Sequence, residues 1–167
     1  MGRAGPRIAV LLGAIALGSC SPQQTAEPVA QEQASPAAQD THPVSGLAIV
    51  PVAVQSATGA HVFAAELADT PQLQAQGLMH RTQLGPNEAM LFPNEKPTAR
   101  SFWMKNTPIP LDIIFIGLDG RISNIAAMTE PYSLEQVYSV GSTSTVLEIA
   151  GGRAAELCIS EGDTVTW

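Results

Sequence analysis

Positive charge is scarce in this sequence. Eight Lys and Arg face fifteen Asp and Glu, for a formal net charge of -7. Nucleic-acid binding needs clustered Lys and Arg to neutralise phosphates, so that class of partner is excluded. Electrostatic adhesion to anionic lipid is excluded for the same reason. Cysteine is nearly absent too: Cys20 and Cys158 are the only two, too few for a disulfide scaffold. The three histidines, His42, His61 and His80, have no ligand spacing, so no metal site is expected. The G-x-S-x-G elbow of many hydrolases is missing, since Gly141-Ser142-Thr143-Ser144 lacks the closing glycine. Phosphate-cradling glycine motifs are missing as well, and no cofactor is expected. The leading apolar stretch, Ile8 to Leu17, is half the length of about 20 residues that a membrane-crossing helix needs.

That short stretch is informative because of its flanks. Arg3 and Arg7 precede it, and Leu17-Gly18-Ser19-Cys20 follows it. A positive start, a short apolar centre and a small-residue end make a signal peptide over residues 1–19. The closing Leu-Gly-Ser-Cys resembles the bacterial lipobox, which implies a Cys20 modified by lipid. Losing Arg3 and Arg7 with the leader leaves six basic residues against fifteen acidic ones, so attachment to a membrane would depend on that covalent anchor. Ser21 follows, where inner-membrane retention usually calls for Asp; the expected location is therefore the periplasmic face of the outer membrane in an organism with two membranes. Residues 20–43 are rich in Gln, Ala, Pro and Ser without periodicity, and read as a disordered tether. As a coil it would reach roughly 25–30 Å.

From Val44 to Trp167 the composition is that of one globular domain. Val44 to Val54 is rich in Val, Ile and Ala, and His61 to Leu67 reads as a strand. Thr70-Pro71 opens a helix that Gly77 closes. Met90-Leu91-Phe92 is a short buried strand, and Ser101 to Lys105 is another. Leu111 to Gly117, rich in β-branched residues, pairs through Asp119-Gly120 with Arg121 to Ala126. Thr145 to Ile149, a short helix from Gly151 to Cys158, and Thr164 to Trp167 complete the chain. The fold class is β-rich α+β: a compact, mostly antiparallel sheet or partly closed barrel with two short helices.

The run FWMKNTPIPLDIIFI, Phe102 to Ile116, resembles the signature of the DUF192 family of small bacterial and archaeal domains. ADTPQLQAQGLMHR (Ala68 to Arg81), AMLF (Ala89 to Phe92) and VLEIAGGRAAELCISEGDTV (Val146 to Val165) match in the expected order. The similarity spans Leu67 to Trp167. Ala89 and Cys158 stand where the family often has Gly. The resemblance implies the fold and carries no catalytic assignment, because a fold does not stand in for a site.

Candidate functional residues gather around the two prolines of the central run. Alternation puts Ser101, Trp103 and Lys105 on one face and Phe102 and Met104 on the other. Trp103, Lys105, Asn106 and Asp112 within ten residues could line a pocket for a small anionic or sugar-like ligand. The competing possibility is scaffold: Lys105 paired with Asp112 or Glu148, Asn106 bonded to turn backbone, Trp103 covering the barrel end. Glu148, mid-strand between apolar neighbours, faces either solvent or a polar partner, for which Arg81 is the candidate. Cys158, between Leu157 and Ile159, reads as a buried structural thiol. The leading expectation is a non-catalytic envelope module binding a small ligand or envelope component. The alternatives are a hydrolase or transferase on envelope material with Asp112 or Glu148 as base, and a structural partner of an envelope protein complex.

Overall fold

Strands of this chain show two sequence patterns, and their places in the sheet explain both. The structure, a computed structural model, describes residues 40–167. The leader, Cys20 and most of the tether lie outside the described residues. The strands are β1 (Ile49–Ser56), β2 (Gly59–Leu67), β3 (Glu88–Thr98), β4 (Ser101–Phe102), β5 (Leu111–Gly117), β6 (Ile122–Ala126), β7 (Val137–Tyr138), β8 (Thr143–Ala150) and β9 (Thr164–Thr166). Two short helices, α1 (Pro71–Gln76) and α2 (Arg153–Glu156), interrupt them. Seven strands form one sheet in the order β6-β5-β8-β3-β2-β1-β9, while β4 and β7 pair separately. All neighbours are antiparallel except β2 and β3, the pair that α1 connects.

The sheet curls until its ends meet. Ile122 N–H donates to the Asp163 carbonyl (2.9 Å), Gly162 N–H to the Ile122 carbonyl (2.8 Å), and Val165 N–H to the Gly120 carbonyl (2.8 Å). The expected partly closed barrel is therefore present. Inside it lie Val52, Phe63, Leu91, Ile114, Leu147 and Val165. Outside, over β5, β8 and β3, a second apolar layer of Phe92, Ile113, Phe115 and Val146 is covered by Leu78, Phe102 and Met104. Strands β5 and β8 are thus buried on both faces, which is why they read as nearly unbroken apolar runs. By contrast β2 keeps one partly solvated face, with Phe63 and Ala65 buried between exposed Val62 and Ala64.

Local chemistry sets the ends of α1. Thr70 Oγ1 accepts from Leu73 N–H (3.2 Å), Pro71 takes the first helical position, and Gly77 turns the chain out at φ 47°. The expected strand from Ser101 to Lys105 stops at Phe102. Thr107 N–H donates back to the Met104 carbonyl (3.1 Å) and Asn106 sits at φ 57°, so a turn replaces the ladder. The folded domain also begins before Val44. Ile49 N–H donates to the Asp40 carbonyl (2.7 Å), and Thr41 bridges Ala48.

Cys158 is exposed rather than buried. It holds φ 53° just past α2, a left-handed position that favours glycine and turns the thiol away from the core.

Candidate functional site

Strand β8 reads TSTVLEIA, and alternation sends Leu147 and Ile149 into the barrel and Val146 and Glu148 into the outer layer. Glu148 therefore lies on a face built for hydrocarbon. Its register partners are Met90 on β3 and Ile113 on β5, both buried. Its residue is only 4 % exposed, and burial pushes its carboxyl up from 4.5 to about 8. Near neutral pH it is mostly the neutral acid, able to donate as well as accept. Among the described residues no hydrogen bond or ion pair reaches that carboxyl.

What Glu148 does face is a cavity of about 290 Å³. Residues 74–79, the end of α1 and the turn after it, form one wall, and Arg100, Ser101, Phe102, Trp103 and Lys105 form the other. Phe92, Leu111 and Thr107 complete the lining with Glu148. The second wall stands because of an aromatic stack, Phe102 edge-on to Phe92 (5.1 Å between centroids) and to Phe115 (6.0 Å). Two cations border the space. The Arg100 guanidinium lies 5.4 Å over the Phe102 ring, donates to Asn94 Oδ1, and donates to Gln74 Oε1 at 3.1 Å. Partial burial pulls its pKa below the ordinary value, though a guanidinium stays charged. Lys105 Nζ sits 5.1 Å from the centre of the half-exposed Trp103 ring. Neither cation has a carboxylate partner among the described residues.

The six expected site residues part company. Trp103, Lys105 and Glu148 share the cavity. Asn106 lines a separate cleft with His80, Thr82, Pro108 and Tyr132, and its carbonyl accepts from His80 N–H (2.7 Å). Asp112 is fully buried beside the α2 start. Its Oδ1 accepts from Met128 N–H (2.8 Å) and Gly152 N–H (3.0 Å), and its Oδ2 from Ala154 N–H (2.8 Å). Three backbone donors make it a structural clamp that joins β5 to α2.

The Arg81–Glu148 pair is replaced by Arg81–Glu66. One Arg81 Nη reaches both Glu66 oxygens, at 2.5 and 2.6 Å, and Glu66 is 2 % exposed. Ser45 Oγ also donates to Glu66, and His42 Nε2 lies 3.7 Å away, so the chain entering the domain is fastened at the same carboxylate. Glu66 faces Met90 from β2 as Glu148 faces it from β8. The two acids thus flank one methionine, and Arg81 goes to the nearer.

Glu66, Arg100 and Gln74 were not among the residues expected from sequence. Alternation in β2 marks Glu66 as outward and hence solvated, because nothing local announces the cover supplied by Arg81, Ser45 and His42. Arg100 carried a signal, a cation two residues before the FWMKN run.

Comparison with known proteins agrees with the fold and leaves the chemistry open. The family DUF192, described as uncharacterised, matches residues 52–167. A protein of unknown function from Novosphingobium aromaticivorans has a solved structure with TM-score 0.76 and 55 % identity, covering 78 % of this chain and 94 % of its own. A candidate transcription regulator from Sinorhizobium meliloti has TM-score 0.69 and 36 % identity, covering 72 % of this chain and 94 % of its own. No curated protein matches. The matched part makes up 94 % of each solved relative's chain, so in those proteins the domain folds without a further one.

Proposed function

The chain belongs to the DUF192 family, and we propose that its domain is a non-catalytic module that binds a small molecule in the cavity between α1 and the Arg100–Lys105 segment. One observation carries this: the Glu148 carboxyl is nearly fully buried, faces open space, and has no protein partner among the described residues. Its carboxyl oxygens keep solvent contact only through the cavity, so a ligand that displaces that solvent can take up the hydrogen bond. The lining mixes apolar side chains with polar ones such as Gln74, Arg100 and Lys105, and polar groups at such a site fix the orientation of a ligand. The short acidic chain lends no support to a nucleic-acid role such as the description of the Sinorhizobium relative suggests.

We further propose that this module sits on a lipid anchor at the cell envelope, with an envelope metabolite or component as its ligand; the leader-like residues 1–19 and Cys20 support that reading. Replacing Cys20 by Ala would then release the protein from membranes, and unchanged membrane association would refute the anchor.

A thermal-shift screen of the domain from residue 40 to Trp167 tests the binding role. Ligand at 100 times its dissociation constant adds about 2.7 kcal/mol. The control is Ala75→Trp, an exposed position on α1 that borders the cavity and would block it. Hits lost in that variant support the module; an absence of hits, or hits that survive the block, refutes it.

A second reading has one observation in its favour. A carboxyl at about 8 is suited to general acid–base work near neutral pH. A hydrolase or transferase of envelope material would have to rest on Glu148, since Asp112 is consumed by three backbone donors. Turnover by the wild type and none by Glu148→Gln would establish it.

A further inference from the structure

The cavity has a sign. Two cations border it, Arg100 and Lys105, and among the described residues neither is neutralised by a carboxylate. In a chain of net charge -7, that is an uncommon concentration of unopposed positive charge. α1 brings no ionisable group, only Gln74 and Gln76. Across the sheet Glu148 meets Met90 and Ile113, which carry none, and beyond Met90 the Glu66 carboxylate is tied to Arg81. Gln74 Oε1 and Asn94 Oδ1 hold the Arg100 guanidinium in place through neutral acceptors, so its charge is positioned without being cancelled. Among the described residues the one acid in the lining is Glu148.

Resting on the reading of this cavity as a ligand site, we infer that its ligand is a small organic anion, a carboxylate or phosphate ester, drawn by Arg100 and Lys105 and accepting a hydrogen bond from the protonated Glu148 carboxyl. A guanidinium and an ammonium favour an anion through charge-assisted bonds. An ionised Glu148 would repel that anion, whereas the neutral acid offers it a donor. The hydrocarbon of the ligand lies against Phe92, Phe102 and Leu78. Binding therefore requires a protonated Glu148, and affinity falls as pH rises through about 8.

Isothermal titration calorimetry with the domain from residue 40 to Trp167 tests this with three probes of similar size: benzoate, phenyl phosphate and the neutral benzamide. The expected result is binding of one or both anions, tighter than that of benzamide, and about tenfold weaker at pH 9 than at pH 7. Glu148→Gln keeps a neutral donor, so its anion affinity stays level across that range. Lys105→Gln, at an exposed position, weakens the anions and leaves benzamide unchanged. Which anion prevails separates carboxylate from phosphate. Preference for benzamide overturns the anion assignment, and an anion affinity independent of pH in the wild type overturns the bond from Glu148; both leave the cavity a ligand site. Binding of none of the three tighter than about 1 mM overturns the anion assignment too; whether the cavity is a site at all is then decided by the Ala75→Trp screen.

Discussion

Replacing Glu148 by Gln removes one titrating proton from the outer layer and leaves the side-chain volume almost unchanged. The folded carboxyl sits at about 8 against 4.5 unperturbed, because burial disfavours its charge. Between those values the folded chain holds a proton that the unfolded chain has released. Stability from this group is complete below about pH 4.5 and is lost as pH rises through about 8. The slope is about 1.4 kcal/mol per pH unit, so from pH 5 to pH 9 the wild type loses about 4 kcal/mol relative to Glu148→Gln. Urea unfolding of both proteins at one-unit pH intervals measures the difference directly, and the other titrating groups cancel between them. A gap that widens with pH is the expected result. Two parallel stability curves would refute the placement of a buried, unpartnered carboxyl at this point.

Three other perturbations have outcomes set by the same structure. Arg81→Ala strands the buried Glu66 carboxylate and costs about 3–5 kcal/mol in urea unfolding, and adding Glu66→Gln recovers part of that loss. Asp112→Ala leaves the N–H groups of Met128, Gly152 and Ala154 without their acceptor and costs about 3 kcal/mol or more, while ligand binding persists wherever the domain stays folded. Cys158→Gly relieves a left-handed residue at φ 53° and raises stability by about 0.5–1 kcal/mol, and the native thiol reacts with a small alkylating reagent without denaturant.

Much of the architecture was legible because turn chemistry and strand composition agree. Thr70-Pro71, Gly77 and Asp119-Gly120 mark their boundaries by local rules that tertiary packing did not override. The two-residue strand Val137–Tyr138 was not legible, since pairing with Ser101–Phe102 decides it and its own sequence does not. The site was legible in part for a related reason. Period-two alternation tells sides apart only where one side is wet, and β8 is dry on both, so nothing in Leu147-Glu148-Ile149 says what Glu148 faces. Its partner was misjudged because strand order, with β3 between β2 and β8, sets which acid Arg81 reaches. Cys158 misled through its neighbours: Ile159 is buried, but a single left-handed residue reverses the expected side.

Amide chemical-shift mapping of the domain with the strongest thermal-shift hit tests the ligand cavity most directly. The account predicts the largest changes at Gln74 to Met79, Trp103 and Glu148, fading toward the barrel interior. Changes centred instead on the His80–Tyr132 cleft, or scattered over the surface, would contradict it.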